Sequence, residues 1–158
     1  MIFMNFEMGG DDEDDLHLYS QLAEVDCGDI QYWLFHGTVE FRVNDLNLST
    51  DPIPVPVVDF AAGMLLVVAQ LERGRSAKFE YTEGQEELSF DLVDKKNVDV
   101  SSDVRSGKTT VDVKTLADAV DGFSFKVLGY LKRQHTDIFE NPEFLNWYPG
   151  ARTYLRPI

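Results

Sequence analysis

The segment VVDFAAGMLLVVAQLER, residues 57–73, decides how the chain is read. Eleven of the thirteen residues from 57 to 69 are apolar, and Asp59, Gly63, Gln70 and Arg73 mark a narrow polar edge. Residues 65–68 alone fit a buried strand as well as a helix. The preceding Phe-Ala-Ala-Gly-Met and the total length favour a helix, buried on most of its sides. Gly74 closes it, and Pro52, Pro54 and Pro56 keep the approach extended.

Upstream, residues 30–43 read as the best strand. Trp33, Phe35, Val39, Phe41 and Val43 share one parity with Gly37 and make a core face. On the other parity, Ile30, Tyr32 and Leu34 give way to His36, Thr38, Glu40 and Arg42. Asn44-Asp45 is a turn signal ahead of Leu46 and Leu48, so a hairpin is expected. Ile2, Met4 and Phe6 alternate with Phe3, Asn5 and Glu7 in a short strand ended by Gly9-Gly10. Between these lies an acidic segment, 8–29, in which Leu16, Leu18, Leu22 and Val25 suit either a short helix or an irregular loop.

Downstream, Phe79 and Tyr81, then Leu88, Phe90 and Leu92, then Val98 and Val100, then Val111 and Val113 alternate with polar residues. Turns are expected at 83–85 and 105–108. This is the pattern of an antiparallel meander with one wet face. Thr115 with Asp118 resembles a capping box, and Leu116, Val120, Phe123, Val127 and Leu131 recur at helical spacing. Gly122 and Gly129 either allow close packing or, at Gly122, break this helix, and Pro142 ends it. The tail 144–158 is aromatic and basic. The expectation is one α+β domain, 1–158: a mostly antiparallel sheet of about six strands, a buried helix at about 57–73 and a second at about 115–138.

The 158 residues carry a formal charge of -14, very unevenly placed. No Lys or Arg precedes Arg42, whereas ten acidic residues do, including the unbroken run Asp11, Asp12, Glu13, Asp14 and Asp15. Such a separation must be solvated, screened or matched by a cationic partner. It opposes electrostatic binding of nucleic acid or anionic lipid, which carry the same sign. No apolar run reaches the roughly 20 residues of a membrane span, and residues 1–8 lack the basic start and cleavage site of a secretory signal. The single Cys27 fits a reducing cytoplasm.

The acid run lacks the alternating Asp spacing and turn Gly of a calcium loop, so it reads as a solvated or partner-binding surface and not as a metal site. His17, His36 and His135 have no spacing that demands acid–base chemistry and read as structural. Carboxylates beside Cys27 should raise its pKa and blunt its reactivity. Gly107-Lys108-Thr109 lacks the upstream Gly of a phosphate loop. Trp147, Tyr148, Arg152, Tyr154 and Arg156 combine aromatics with Arg, as interface hot spots do. They either fold back on the acidic half or meet a partner.

Small size, acidity, a lone thiol and the lack of a catalytic motif suit a protein that covers a cationic cleft on another protein. With the run 37–43 followed by 56–64, the chain resembles, in overall character, the cytoplasmic immunity proteins of bacterial toxin systems, including those of contact-dependent growth inhibition. The resemblance implies a non-enzymatic protein that binds and neutralises a cognate toxin with a basic cleft, a nuclease. From the charge pattern the contact residues are Asp11, Asp12, Glu13, Asp14, Asp15, Glu24, Asp26 and Asp29, with Tyr32 or Trp147 as aromatic anchor. Asp91, Asp99 and Asp112 form a second acidic face on the meander. No cofactor, metal, nucleic acid or membrane partner is expected. Two other readings stand beside this one: an enzyme using His36 or His135 with acids such as Glu40, and a non-inhibitory oligomeric scaffold.

Overall fold

The computed structural model describes residues 1–10, 16–82 and 86–154. Strands β1 (Ile2–Met8), β2 (His36–Val43), β3 (Leu46–Asn47) and β4 (Val55–Pro56) form one antiparallel sheet. Strands β5 (Ala77–Glu80), β6 (Glu87–Leu92), β7 (Asn97–Ser102) and β8 (Lys108–Asp112) form a second, a plain meander. The helices are α1 (Leu16–Tyr19), α2 (Cys27–Tyr32), α3 (Val57–Glu72), α4 (Val113–Gln134), α5 (Pro142–Trp147) and α6 (Ala151–Tyr154), with a 3₁₀ turn at Thr136–Glu140. The class is α+β. The strands, however, are divided between two four-stranded sheets where one of about six was expected.

The division follows from α3. Val57, Val58, Phe60, Ala61, Ala62, Met64, Val67, Val68 and Leu71 are all buried, so this helix needs cover on several sides. It obtains it from β2 and β4 of one sheet, β5 and β6 of the other, and α4. The Phe60 ring lies 6.2 Å from Phe41, 5.2 Å from Phe79, 5.9 Å from Tyr81 and 5.6 Å from Phe123, centroid to centroid. One side chain thus touches both sheets and the long helix. Past the end of α3, Gly74 takes a φ of 75° and donates to the Leu71 carbonyl, as the closing glycine was expected to do.

In the first sheet β1 runs antiparallel to β2 from Ile2 opposite Val43 to Met8 opposite Gly37. A Cβ at Gly37 would overlap the Glu7 carbonyl oxygen, so the close strand approach requires glycine there. On the other edge of β2 the ladder continues between β3 and β4 with side-chain help. Leu48 and Thr50 donate to the carbonyls of Phe41 and Val39, while the Ser49 and Thr50 hydroxyls accept from the Phe41 and Val39 amides. Arg105 then ties the sheets together. Its guanidinium donates to the Asn47 and Ser49 carbonyls at 3.0 and 2.7 Å and is held by Glu86 at 2.9 Å.

Four local expectations are corrected. Residues 30–35 are not strand: α2 runs to Tyr32, Phe35 turns the chain at φ 59°, and Trp33, expected in the core, is 62% exposed. Ile30, Leu34 and Phe35 reach the core, Phe35 as expected, and Ile30 and Leu34 are four apart, which is helical spacing. The second helix begins at Val113, capped by Asp112 accepting from the Thr115 amide, so Thr115 is not its cap, and it ends at Gln134. Gly122 lies in open space within an unbroken helix, and only Gly129 is packed, with the Tyr154 hydroxyl 3.7 Å from a Cβ placed there. Pro142 opens α5 at its first turn, and the tail folds back with Phe144, Tyr148 and Ala151 buried.

Truncating the ring at the junction should cost more than any surface change. Phe60→Ala is expected to lower unfolding free energy by about 3–5 kcal/mol, measured by urea denaturation. A loss below about 1 kcal/mol would show that the two sheets are held elsewhere.

Candidate protein-binding cleft

Among the described residues, three concavities stand out. A polar basin of about 680 Å³ lies over the first sheet, lined by residues such as Asn5, Thr38, Asn47, Arg42 and Arg105. Its two cations are already engaged, Arg42 with Glu40 at 3.0 Å and Arg105 with Glu86. An apolar groove of about 730 Å³ runs between α3, α4 and α6, past Leu65, Leu128 and Phe125, to Tyr154. The third is a cleft of about 310 Å³ between α2, α3, β5 and α5.

This third cleft brings together the two aromatic anchors expected from sequence, Tyr32 at the end of α2 and Trp147 at the end of α5. Leu66, 56% exposed, forms part of the same wall, and Tyr32 is 44% exposed. Gly63 lies on the α3 side, where a Cβ would overlap the Phe79 ring. Asp59, in the first turn of α3, supplies a carboxylate, accepts from the Thr82 hydroxyl at 2.9 Å and is also hydrogen-bonded by the Gln31 side chain. Burial raises its pKa, an effect these hydrogen bonds partly oppose. Tyr81 lines the cleft, buried, with a hydroxyl that has no hydrogen-bond partner among the described residues.

Asn141 sets the spacing of the walls. Fully buried, it donates twice, to the Leu22 and Val25 carbonyls at 2.8 Å each, and its oxygen caps α5 through the Glu143 and Phe144 amides. Both its donors and its acceptor are thus used, which locks the chain entering α2 to the start of α5. Nearby, the Cys27 amide donates to Glu143 at 2.9 Å. The Cys27 thiol pKa is raised, by burial first and then by Glu143 and Asp26, so the expected blunting holds with burial as its larger cause.

The remaining expected residues are scattered. Asp11, Asp12, Glu13, Asp14 and Asp15 lie outside the described residues, as does the expected turn at 83–85. Glu24 is exposed, Asp26 caps α2 by accepting from the Gly28 amide, and Asp29 stands one turn before Tyr32. On the meander, Asp99 is bound by Lys108 at 3.1 Å and Asp112 is spent as the cap of α4, so that acidic face is largely matched internally. His135 sits among the rings of Tyr19, Phe35 and Tyr130, and His36 pairs with Pro56 in the ladder between β2 and β4. No histidine lines any of the three concavities. Among the described residues no group of His, Cys, Asp and Glu could hold a metal ion, and no helix is long and apolar enough to cross a membrane. Sequence reasoning missed Asp59, Leu66 and the exposed Trp33. An isolated Asp in an apolar helix was the only signal for the first.

The fold and cleft define an α+β protein with an aromatic, carboxylate-bearing recess and no histidine or cation lining it. No family model, curated protein or solved structure matches the chain.

Two substitutions probe how the cleft is built. Asn141→Asp keeps the cap acceptor but removes two donors and sets a charge against two carbonyls. It should destabilise the protein by about 2–4 kcal/mol, read from thermal or urea unfolding. For Asp59 the folded pKa is raised, so the native state holds its proton more tightly than the unfolded chain does. Its ionisation therefore takes stability away as pH rises through the folded value. Asp59→Asn should unfold at an equal or higher temperature than the parent at pH 7, with that gain vanishing in acid below the usual carboxylate range. A lower melting temperature at pH 7 would mean that the carboxylate is stabilising.

Proposed function

We propose that this protein is a non-enzymatic immunity protein: it binds and neutralises a basic protein toxin, a nuclease, in the cytoplasm. One observation carries this reading. Five ion pairs form among the described residues, and none uses Glu24, Asp26, Asp29, Asp59 or Glu143. Glu40, Glu86, Glu87, Asp99 and Asp118 are matched within the molecule, while carboxylates such as Glu7, Glu72 and Asp121 are in none of these ion pairs either. The unpaired carboxylates around α2 and α5 are set apart by adjoining exposed Tyr32 and Trp33. Unmatched negative charge beside exposed aromatic surface supports docking to a cationic cleft. The charge steers encounter and the aromatic rings supply buried contact area. The run Asp11, Asp12, Glu13, Asp14 and Asp15 extends the same negative field in sequence.

The direct experiment is a toxicity rescue: co-expression with the C-terminal domain of a large secreted protein encoded immediately upstream. Growth should be restored and a stable complex recovered. Replacing residues 11–15 by lysine should slow association by about tenfold or more at low salt and flatten its salt dependence, with a smaller effect on dissociation. Stopped-flow association that is unchanged by the reversal would remove the run from the contact surface, and absence of rescue would remove the function.

A further inference from the structure

We infer that the cleft between α2, α3 and α5 receives a single cationic side chain of the partner, an arginine. Asp59 is its counter-ion, and Tyr32 and Trp147 are the aromatic faces against which the guanidinium lies. This rests on the proposed neutralisation of a basic protein and names the contact at its centre.

Chemistry and size both favour that occupant. Among the described residues the lining holds two carboxylates, Asp59 and Glu80, and no Lys, Arg or His. The hydrogen-bond partners of Asp59, Thr82 and Gln31, are both neutral, so its charge is left without a counter-charge. A partly buried carboxylate in this state gains most from a cation delivered with little water of its own. Guanidinium is more weakly hydrated than ammonium, stacks on aromatic rings and offers a planar fork to a carboxylate. Lysine meets the charge requirement but stacks poorly. A volume of about 310 Å³ is at the lower limit of small-molecule sites, suited to one side chain and cramped for a cofactor. Gly63 lets the Phe79 ring pack directly against α3 beside the cleft.

Position matters as much as chemistry. Asp59 is fixed in the first turn of a helix buried on most sides, and Trp147 is fixed through α5 by Asn141. The site is therefore preorganised, and little ordering is required when the partner docks.

The test uses the full chain and two small probes, N-acetyl-arginine amide and its neutral isostere N-acetyl-citrulline amide, followed by NMR. The arginine probe should give saturable shifts at Tyr32, Thr82 and the Trp147 indole, with affinity on the order of a millimolar, and the citrulline probe none. Asp59→Asn should weaken the arginine probe about tenfold or more, and Tyr32→Ala should weaken it without unfolding the protein. Equal shifts with both probes, or full affinity in Asp59→Asn, overturn the proposal. The cellular assay separates it from the broader reading. If Asp59→Asn and Tyr32→Ala protect cells as well as the parent, the arginine contact falls and neutralisation stands. If the probe binds as described but no basic toxin domain is neutralised, the cation site stands and the immunity reading falls.

Discussion

The ring of Phe60 is the point at which the whole molecule meets. It touches Phe41 of the first sheet, Phe79 and Tyr81 of the second, and Phe123 of the long helix, which in turn carries Phe6 of β1. A sheet of four strands with two of them only two residues long has little independent stability, and a four-stranded meander has one apolar face to cover. Neither closes its own core. Both are completed by the same buried helix, and edge-to-face ring pairs at its N-terminal half fix their relative position. Asp59, which faces the cleft, is the residue immediately before that ring. The site is therefore anchored beside the junction of the two sheets.

What the sequence makes legible follows from how many residues vote. The buried helix at 57–72, the strands of the meander and the helix at 113–134 each carry a long periodic signal, and each forms with small boundary shifts. Residues 30–35 fail because a segment in which five of six residues are apolar satisfies period two and period 3.6 alike. The Asp26 cap and the left-handed Phe35, which decide the matter, are local features with little weight in a pattern. Phe35 is held in that unusual conformation from three directions: its amide donates to the Tyr19 hydroxyl, its carbonyl accepts from Val57, and its ring packs on His135. None of these partners is near in sequence except Tyr19. The cleft was half legible: Tyr32 and Trp147 stand out as aromatics among acids, but only Asn141 and the α2–α5 contact explain why they meet.

Charge is where composition and structure most need each other. A net -14 says only that carboxylates exceed cations. The structure separates carboxylates already satisfied from those that are not. On the meander, Asp91 and Asp99 stand directly opposite each other, a repulsive placement relieved by Lys108 on Asp99 and by Lys78, whose field reaches Asp91. That acidic face is nearly self-contained. Among the described residues, Glu24, Asp26, Asp29, Asp59 and Glu143 take part in none of the ion pairs, and they meet backbone amides, neutral side chains or solvent.

A partly buried carboxylate without a counter-charge is an unusual thing for a stable domain to retain, because a neutral amide of the same shape would cost less. Asp59 sits in that position, hydrogen-bonded but uncharged in its surroundings, with its ionised form disfavoured by burial. The hydrogen bonds from Thr82 and Gln31 orient it without neutralising it. Tyr81, immediately before Thr82, buries a hydroxyl with no hydrogen-bond partner among the described residues, a second departure from local satisfaction at the same place. Sites where a fold departs from its own local rules are those where binding, in preference to stability, sets the residue. A cation from outside would remove the larger of these two costs at Asp59, and so the binding energy at this cleft is in part the stability the isolated protein forgoes.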